Sequence, residues 1–466
     1  MQALARSVCA PHVLPMQSRS NPIAAPIDTR AIWAIALPAM VTNVATALIG
    51  VGDMWIVGRL GDAPTQGAVD IGARLFAMLF VVMNFLKTGT TGLVAQAGTR
   101  GEVGAGGEAQ AALLLRGLVV GVAIAALLLA LKPVLLPRLL GVLGAEGNVL
   151  EAARIYADIR YWSAPAVMAN FALVGFLVGQ RRMRAVLAFE VAYNLLNLAL
   201  GLFLALGLDW GIAGIGWSSF VAEYAKLAAI TLFVLRGKTG RAIRAAARSA
   251  SILSPAKLRP FLSVNRDLFL RTVVLMIALA ALTRLSAERG PVVLAANGIF
   301  HQLFVLMALL LDGFENAAQV LNGERRGADD RAGFTAYMRA ILWRGFALAA
   351  GVSLALALFA GPLIDAFAAT PAVAETGRSY AVWLAIMPFA GVAAFVFDGV
   401  FVGASWTRAL LVSMIGAAAV YALSLWLTWS LGNHGLWLSF VLFLALRAGF
   451  QLLLVPRLLR KEFGSD

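Results

Sequence analysis

The sequence is poor in the residues on which most enzymes and small secreted domains are built. It holds one cysteine, Cys9, so no disulfide can form within the chain and no cysteine cluster can grip a metal. Its three histidines are too few for a convincing metal site. No G-x-S-x-G turn, H-E-x-x-H helix or phosphate-binding P-loop occurs. No metal, no cofactor and no enzymatic activity are therefore expected, and any uphill work must draw on an ion gradient. Charge is scarce as well. Only 13% of the 466 residues are charged, where a soluble domain carries about a quarter.

What is present is apolar. Hydrophobic residues make up 61% of the chain and the mean hydropathy is +0.84. Runs of about 20 apolar residues recur throughout, each long enough to cross a bilayer core of ~30 Å as a helix. The fold class expected is an all-α polytopic membrane protein. Twelve spans are read over 31–57, 72–97, 111–136, 159–180, 184–207, 211–236, 262–287, 292–321, 336–361, 379–404, 406–431 and 435–459. Residues 1–29 contain Pro11, Pro15, Pro22 and Pro26 but no apolar core of signal-peptide length, and are expected to be a disordered cytoplasmic tail. An N-terminal lobe over 30–236 and a C-terminal lobe over 262–460 are joined by the basic segment 237–261, and 461–466 form a short tail.

The two lobes are written from related sequence. Residues 149–187 return, altered, as 373–411. At this offset Glu151 falls on Glu375, Arg154 on Arg378, Gly175 on Gly399, Gly179 on Gly403 and Arg184 on Arg408. An offset near half the chain means one unit built twice. Six spans per unit keep both units the same way up, related by a pseudo-two-fold axis along the membrane normal, with substrate handled between them.

The net charge is +14, and the cations gather in loops on one side. Arg100, the Arg181-Arg182-Arg184 cluster, the 237–261 segment, Arg325, Arg326, Arg331, Arg408, Arg457, Arg460 and Lys461 share that side. This pattern places both termini in the cytoplasm and assigns the cations to topology and anionic lipid rather than to nucleic acid.

Polar residues inside spans need a reason, since a mid-bilayer charge costs about 2.5–3.5 kcal/mol on insertion scales. In the first span Pro38 permits a kink, and Thr42, Thr46, Gly50 and Asp53 lie on one face, with Asn43 beside them. Asp53 is either a protonatable carboxylate facing a cavity or an interfacial acid paired with Arg59. In the fifth span Glu190, Asn194, Asn197 and Gly201 share a face, serving as cavity lining or as glue between helices. The eighth span carries a longer stripe of Asn297, His301, Asp312, Glu315, Asn316 and Gln319. Arg271 is a candidate partner for Asp312 or for Asp267, and Asp398 adds a further intramembrane acid. Glu223 and Lys226, three apart, are candidates to pair with each other.

The motifs Ala36-Leu-Pro-Ala39, Gly52-Asp-Met-Trp-Ile-Val-Gly-Arg-Leu-Gly61 and Thr90-Thr-Gly-Leu-Val-Ala-Gln96 resemble first- and second-span signatures of the multidrug and toxic compound extrusion (MATE) transporters. Asn265-Arg-Asp-Leu-Phe-Leu-Arg271, Leu311-Asp-Gly-Phe314 and Phe397-Asp-Gly-Val-Phe-Val-Gly403 resemble the DinF-type branch. The resemblance covers 30–460. It implies a V-shaped pair of six-helix lobes and cation-coupled efflux of amphipathic, often cationic, compounds across the inner membrane. It also implies that Asp53 is the proton-coupling residue, with Asn194 and Asn197 in its hydrogen-bond network. Gly201 stands where the family pattern has a second acid, and the seventh span offers Arg271 where sodium-binding branches have an acid, so protons are favoured over sodium. A monomer is expected. The alternative is a lipid or glycolipid flippase, which would use Lys87, Arg271 and Arg284 as a cationic cavity.

Overall fold

The computed structural model describes residues 27–59, 63–100, 106–249 and 252–464, with backbone alone over 47–59 and 63–66. Most of the expected tail and the side chain of Asp53 therefore lie outside the described residues. Sixteen α-helices follow one another, with no strand among the described residues. They are α1 (Thr29–Arg59), α2 (Ala63–Met83), α3 (Phe85–Thr99), α4 (Gly106–Val142), α5 (Gly147–Tyr161), α6 (Ala164–Gly179), α7 (Met183–Gly201) and α8 (Gly211–Leu235). After the short α9 (Gly237–Ala247) come α10 (Pro255–Ala287), α11 (Pro291–Gly327), α12 (Arg331–Phe367), α13 (Pro371–Tyr380), α14 (Val382–Gly403), α15 (Thr407–Leu427) and α16 (Gly432–Phe463).

Among the described residues ten stretches are long and apolar enough to cross a bilayer, and α2 with α3 makes one of them. The pair α5–α6, bent by 50°, makes an eleventh. With α1, at 31 residues, the chain reaches the twelve spans read from the sequence. The seventh span starts earlier than expected, at Pro255, because proline is well suited to a helix's first turn. The basic segment between the lobes contains α9, whose buried Gly240, Ile243 and Ala246 form one face packed on α4.

The repeat is visible in the backbone. Helix α5 starts at Gly147 and α13 at Pro371; α6 ends at Gly179 and α14 at Gly403; α7 starts at Met183 and α15 at Thr407. Each pair keeps the sequence offset of 224 residues. Arg181 and Ser405, also one offset apart, both have φ of 60°. This left-handed conformation reverses the chain between consecutive spans in each lobe.

Glycines set the spacing of the central helices. Gly175 and Gly179 of α6 lie against the backbone carbonyls of Lys87 and Thr91 in α3. Gly399 and Gly403 of α14 lie against those of Glu315 and Gln319 in α11. A Cβ at Gly179 would stand 2.8 Å from the Thr91 carbonyl oxygen. Both pairs are G-x-x-x-G, the spacing that places two small residues on one helical face and lets backbones meet in lipid.

The apolar core divides unevenly along the membrane normal. One cluster joins both lobes at the end where the described chain begins and ends, through Ile32, Ile35, Val94, Phe176, Phe314, Phe334, Val400 and Leu459. Toward the other end the core splits. One cluster, around Phe76, Tyr156 and Tyr161, belongs to the N-lobe alone. Another, around Phe300, Trp437 and Phe443, belongs to the C-lobe alone. The lobes are thus fastened at one end and separate at the other.

Replacing Gly175 with Ala should lower stability by about 1–3 kcal/mol, the cost of overpacking a closed contact. Gly107→Ala, with nothing within 4 Å of the added carbon, should be neutral or slightly stabilising. Thermal unfolding of the two purified variants in detergent checks the difference; equal midpoints would remove the packing role of Gly175.

Candidate functional site

Two hollows lie between the lobes, and both are lined by Asn84 and Lys87 near the start of α3. The N-lobe hollow, about 420 Å³, has walls from α1, α2, α6, α7 and α8 and touches α11 at Leu309. Thr42, Asn43 and Thr46 line it as expected from the first-span face. Their polar groups are already engaged. Thr42 Oγ1 donates to the Pro38 carbonyl at 2.7 Å, and Thr46 Oγ1 to the Thr42 carbonyl at 2.9 Å. Asn43 Nδ2 donates to the Leu309 carbonyl at 3.1 Å and contacts Asp312 Oδ2 at 3.4 Å, so it ties α1 to α11 across the lobes.

The ionic centre of this hollow was not read correctly from spacing. Lys226 does not pair with Glu223 three residues earlier; its ammonium meets Glu190 Oε1 at 2.7 Å, across from α8 to α7. Glu223 instead accepts from Asn170 Nδ2 at 2.9 Å. The Lys226 ammonium also stands 4.7 Å from the Tyr193 ring. Glu190 is therefore an interior partner rather than an interfacial neighbour of the arginine cluster. Phe80, Phe171 and Tyr193 supply aromatic wall around these charges.

Asn194 and Asn197 are buried on α7, outside the lining of the hollow. Ser218 Oγ donates to Asn197 Oδ1 at 3.3 Å, joining α7 to α8. Asn194 Nδ2 is buried without a hydrogen-bond partner among the described residues. Just beyond it, Gly201 leads into a π-helical turn over Leu202–Gly207.

The C-lobe hollow, about 250 Å³, is lined by Arg271, Asp312, Glu315, Asn316, Gln319 and Arg447 together with Lys87. Arg271 does not pair with Asp312, nor with Asp267. Its guanidinium binds Asp398 of α14, while Asp267 pairs with Arg266 at 2.8 Å and contacts Thr407 at 3.4 Å. Asp398 is fully buried. A second guanidinium, Arg447, binds the same oxygen as Arg271, and Gln451 Nε2 donates to the other at 2.6 Å. One carboxylate thus gathers α10, α14 and α16. Arg447 and Gln451 were missed, although their four-residue spacing inside an apolar span places them on one helical face.

The polar stripe of α11 is not one site. Asp312 and Glu315, one turn apart, both line the hollow, Asn316 Nδ2 returns to the Asp312 carbonyl at 2.8 Å, and Gln319 Nε2 donates to the Thr88 carbonyl across the lobes. Asn297 lies toward the opposite end, where it exchanges hydrogen bonds with Asn433 and binds Ser286 and Trp437 at 2.8 to 3.0 Å. This is a knot of α10, α11 and α16, removed from the hollow. His301, half-buried, is outside the hollow's lining as well. No group of three or more metal-ligating side chains occurs among the described residues.

Same-way-up helical lobes, fastened at one end around charged hollows, define a membrane transporter. The MatE profile matches residues 38–203 and 268–427. The chain is 33% identical to the DNA damage-inducible protein F of Escherichia coli over 424 residues, covering 90% of each chain. It resembles a mutant of the Vibrio cholerae MATE transporter VcmN with a TM-score of 0.79 at 16% identity, over 93% of this chain and 97% of that one. A multidrug resistance MATE family transporter in an outward-facing conformation gives a TM-score of 0.77 at 17% identity, over 93% and 96%. The chain belongs to the MatE family.

Removing the carboxylate that holds two guanidiniums should be costly. Asp398→Asn is expected to lose about 3–5 kcal/mol of stability, because it leaves buried charge unpaired. Adding Arg447→Met in the same chain should recover part of that loss. Thermal unfolding of both variants in detergent tests the pairing, and equal loss in the single and double variants would contradict it.

Proposed function

We propose that the chain is a proton-coupled antiporter that exports amphipathic or cationic compounds across the inner membrane, with both termini cytoplasmic. The observation that carries this reading is the pair of charged hollows meeting at Lys87, between lobes fastened at the end where the described chain begins and ends. With that end in the cytoplasm, the lobes part toward the outside. Relatives lend support: the protein from Chromobacterium violaceum described as a probable multidrug resistance protein, NorM, is 23% identical over 454 residues.

The N-lobe hollow suits an organic cation. It offers aromatic faces and carboxylates in a partly dehydrated space, where cation–π and ionic attractions are stronger than in water. Protons are favoured over sodium by the state of Asp398. A carboxylate already holding two guanidiniums and an amide has little left to offer a metal cation. Asp53 remains the proposed proton carrier, placed on α1, the helix that Asn43 links to Asp312. Loading a proton there and releasing substrate would be coupled through the shared lobe movement.

The flippase reading needs spare cations in the hollow. Lys87, Arg271 and Arg447 of the C-lobe hollow face as many acids, Asp312, Glu315 and the Asp398 that both guanidiniums bind, and Arg284 is 82% exposed at its side chain beside Glu288. Those placements favour drug efflux over recognition of a phosphorylated headgroup.

In proteoliposomes, an imposed pH gradient should drive transport of a cationic dye, while a sodium gradient at uniform pH should not. Asp53→Asn should cut the pH-driven rate by about tenfold or more, equivalent to ~1.4 kcal/mol of lost coupling. Undiminished pH-driven transport in that variant would remove Asp53 from the coupling step. Lipid scrambling without dye movement would favour the flippase.

A further inference from the structure

A further cavity is larger than either of the two hollows. It is a groove of about 800 Å³ between α4 of the N-lobe and α10 of the C-lobe. Phe85, Val120, Ile124, Leu258, Leu262 and Phe269 form its walls. It begins beside Leu253 and Pro255, in the later part of the segment that joins the lobes, and follows α10 as far as Phe269. Fourteen helical rises of 1.5 Å make that length about 21 Å. One half of a bilayer core ~30 Å thick is ~15 Å deep, so a groove of this length has room for an acyl chain and for a headgroup at its mouth.

The charges are placed for the other part of a lipid. Arg259 and Arg266, seven apart on α10, lie on one helical face, line the groove and are exposed. Arg259 sits in the second turn of α10, at the mouth. Arg266 sits deeper, shares its charge with the buried Asp267 at 2.8 Å, and is long enough to reach back toward the interface. The mouth has a fixed edge as well. Arg116 of α4, itself buried, donates from Nε to the Ile252 carbonyl at 2.9 Å and holds the connecting segment beside the groove. Inside, Asn265 is 2% exposed, and its Oδ1 accepts no hydrogen bond among the described residues. That oxygen is turned against Gly89 of α3, while Ser263 and the two arginines supply the groove's other polar lining.

We infer that this groove is a binding site for one anionic phospholipid of the leaflet at the fastened end, with its phosphate at Arg259 and Arg266 and an acyl chain between α4 and α10. Guanidinium is the group best shaped to hold a phosphate through paired N–H bonds. The site spans the seam between lobes, so an occupied groove ties α4 to α10 at the fastened end. The inference rests on the chain's place in a bilayer and not on what it exports.

Native mass spectrometry of the full chain in detergent micelles, supplemented with phosphatidylglycerol or phosphatidylcholine, tests it. One phosphatidylglycerol should be retained with a preference of about tenfold, the ratio given by ~1.4 kcal/mol. Arg259→Gln should remove most of that preference and Arg259→Lys should keep part of it. Leu262→Trp, which fills the slot and leaves both arginines in place, should displace the lipid while the protein stays monodisperse. Equal retention of the two lipids by the unaltered chain would overturn the inference. So would an unchanged preference in Arg259→Gln. Displacement of the lipid by millimolar inorganic phosphate would show that the arginines bind a bare phosphate, and would overturn the acyl-chain site.

Discussion

The structure depends on how closely helix backbones approach at four glycines. Between helices in lipid there is little hydrophobic driving force, because the tails are as apolar as the side chains. Association must come from van der Waals contact and buried polar bonds, and both weaken steeply with distance. Gly175 and Gly179 bring α6 onto α3, and Gly399 and Gly403 bring α14 onto α11. Those contacts set the frame of each lobe. They also fix the rotation of α3 and α11, and hence which residues face inward. Lys87 and Glu315, whose carbonyls receive two of the glycines, are also among the charged residues that line the hollows, Lys87 both of them and Glu315 that of the C-lobe.

Within that frame the lobes solve the problem of intramembrane charge differently. The C-lobe concentrates it. A single acid, Asp398, binds two guanidiniums and takes an amide as well, so its oxygens are satisfied while the cluster keeps one positive charge. The N-lobe spreads it. Lys226 and Glu190 neutralise each other, and Glu223 is served by an asparagine beside a ring that faces the cation. An acid held by an amide is more easily won by an arriving cation than one locked between arginines. The difference makes the N-lobe the better place for exchange and the C-lobe the better place for a fixed strut.

The sequence disclosed the fold more readily than the site, and the reason is physical. Spans announce themselves by length and hydropathy, and the doubled segment 149–187 announced the repeat, whose helix boundaries keep the same offset. Side-chain pairing depends on helix rotation and crossing, which no single-helix spacing encodes. Glu223 and Lys226 satisfied the i,i+3 rule, yet Lys226 turns toward α7 and Glu223 toward α6. The α11 stripe has the right periodicity throughout. A 37-residue helix, however, is long enough for Asn297 to serve a knot near one end while Asp312 serves a hollow nearer the other. Arg447 lay unnoticed in an apolar span although an unpaired arginine there would be costly. Asking which acid it neutralised would have led to Asp398.

The distribution of close contacts also bears on which parts can move. The glycine contacts α3–α6 and α11–α14 lie within lobes and can travel as rigid units. Those that cross between lobes gather at the fastened end. Gly92 rests on the Val402 carbonyl, Gly313 on that of Ala36 and Gly327 on that of Gln96. Gln96 donates to the Gly403 carbonyl and to Ser405, and Thr99 to the Glu324 carbonyl at 2.7 Å. The ion pair Arg181–Glu324 adds a charge across the same seam. Breaking them exchanges protein hydrogen bonds for water bonds, at modest cost per bond. The apolar core that both lobes share at this end must part as well, and it sets most of the cost of opening. Parting α3 from α6 would break the frame of a lobe besides, so the motion these contacts favour is a rocking of whole lobes about the hollows they share.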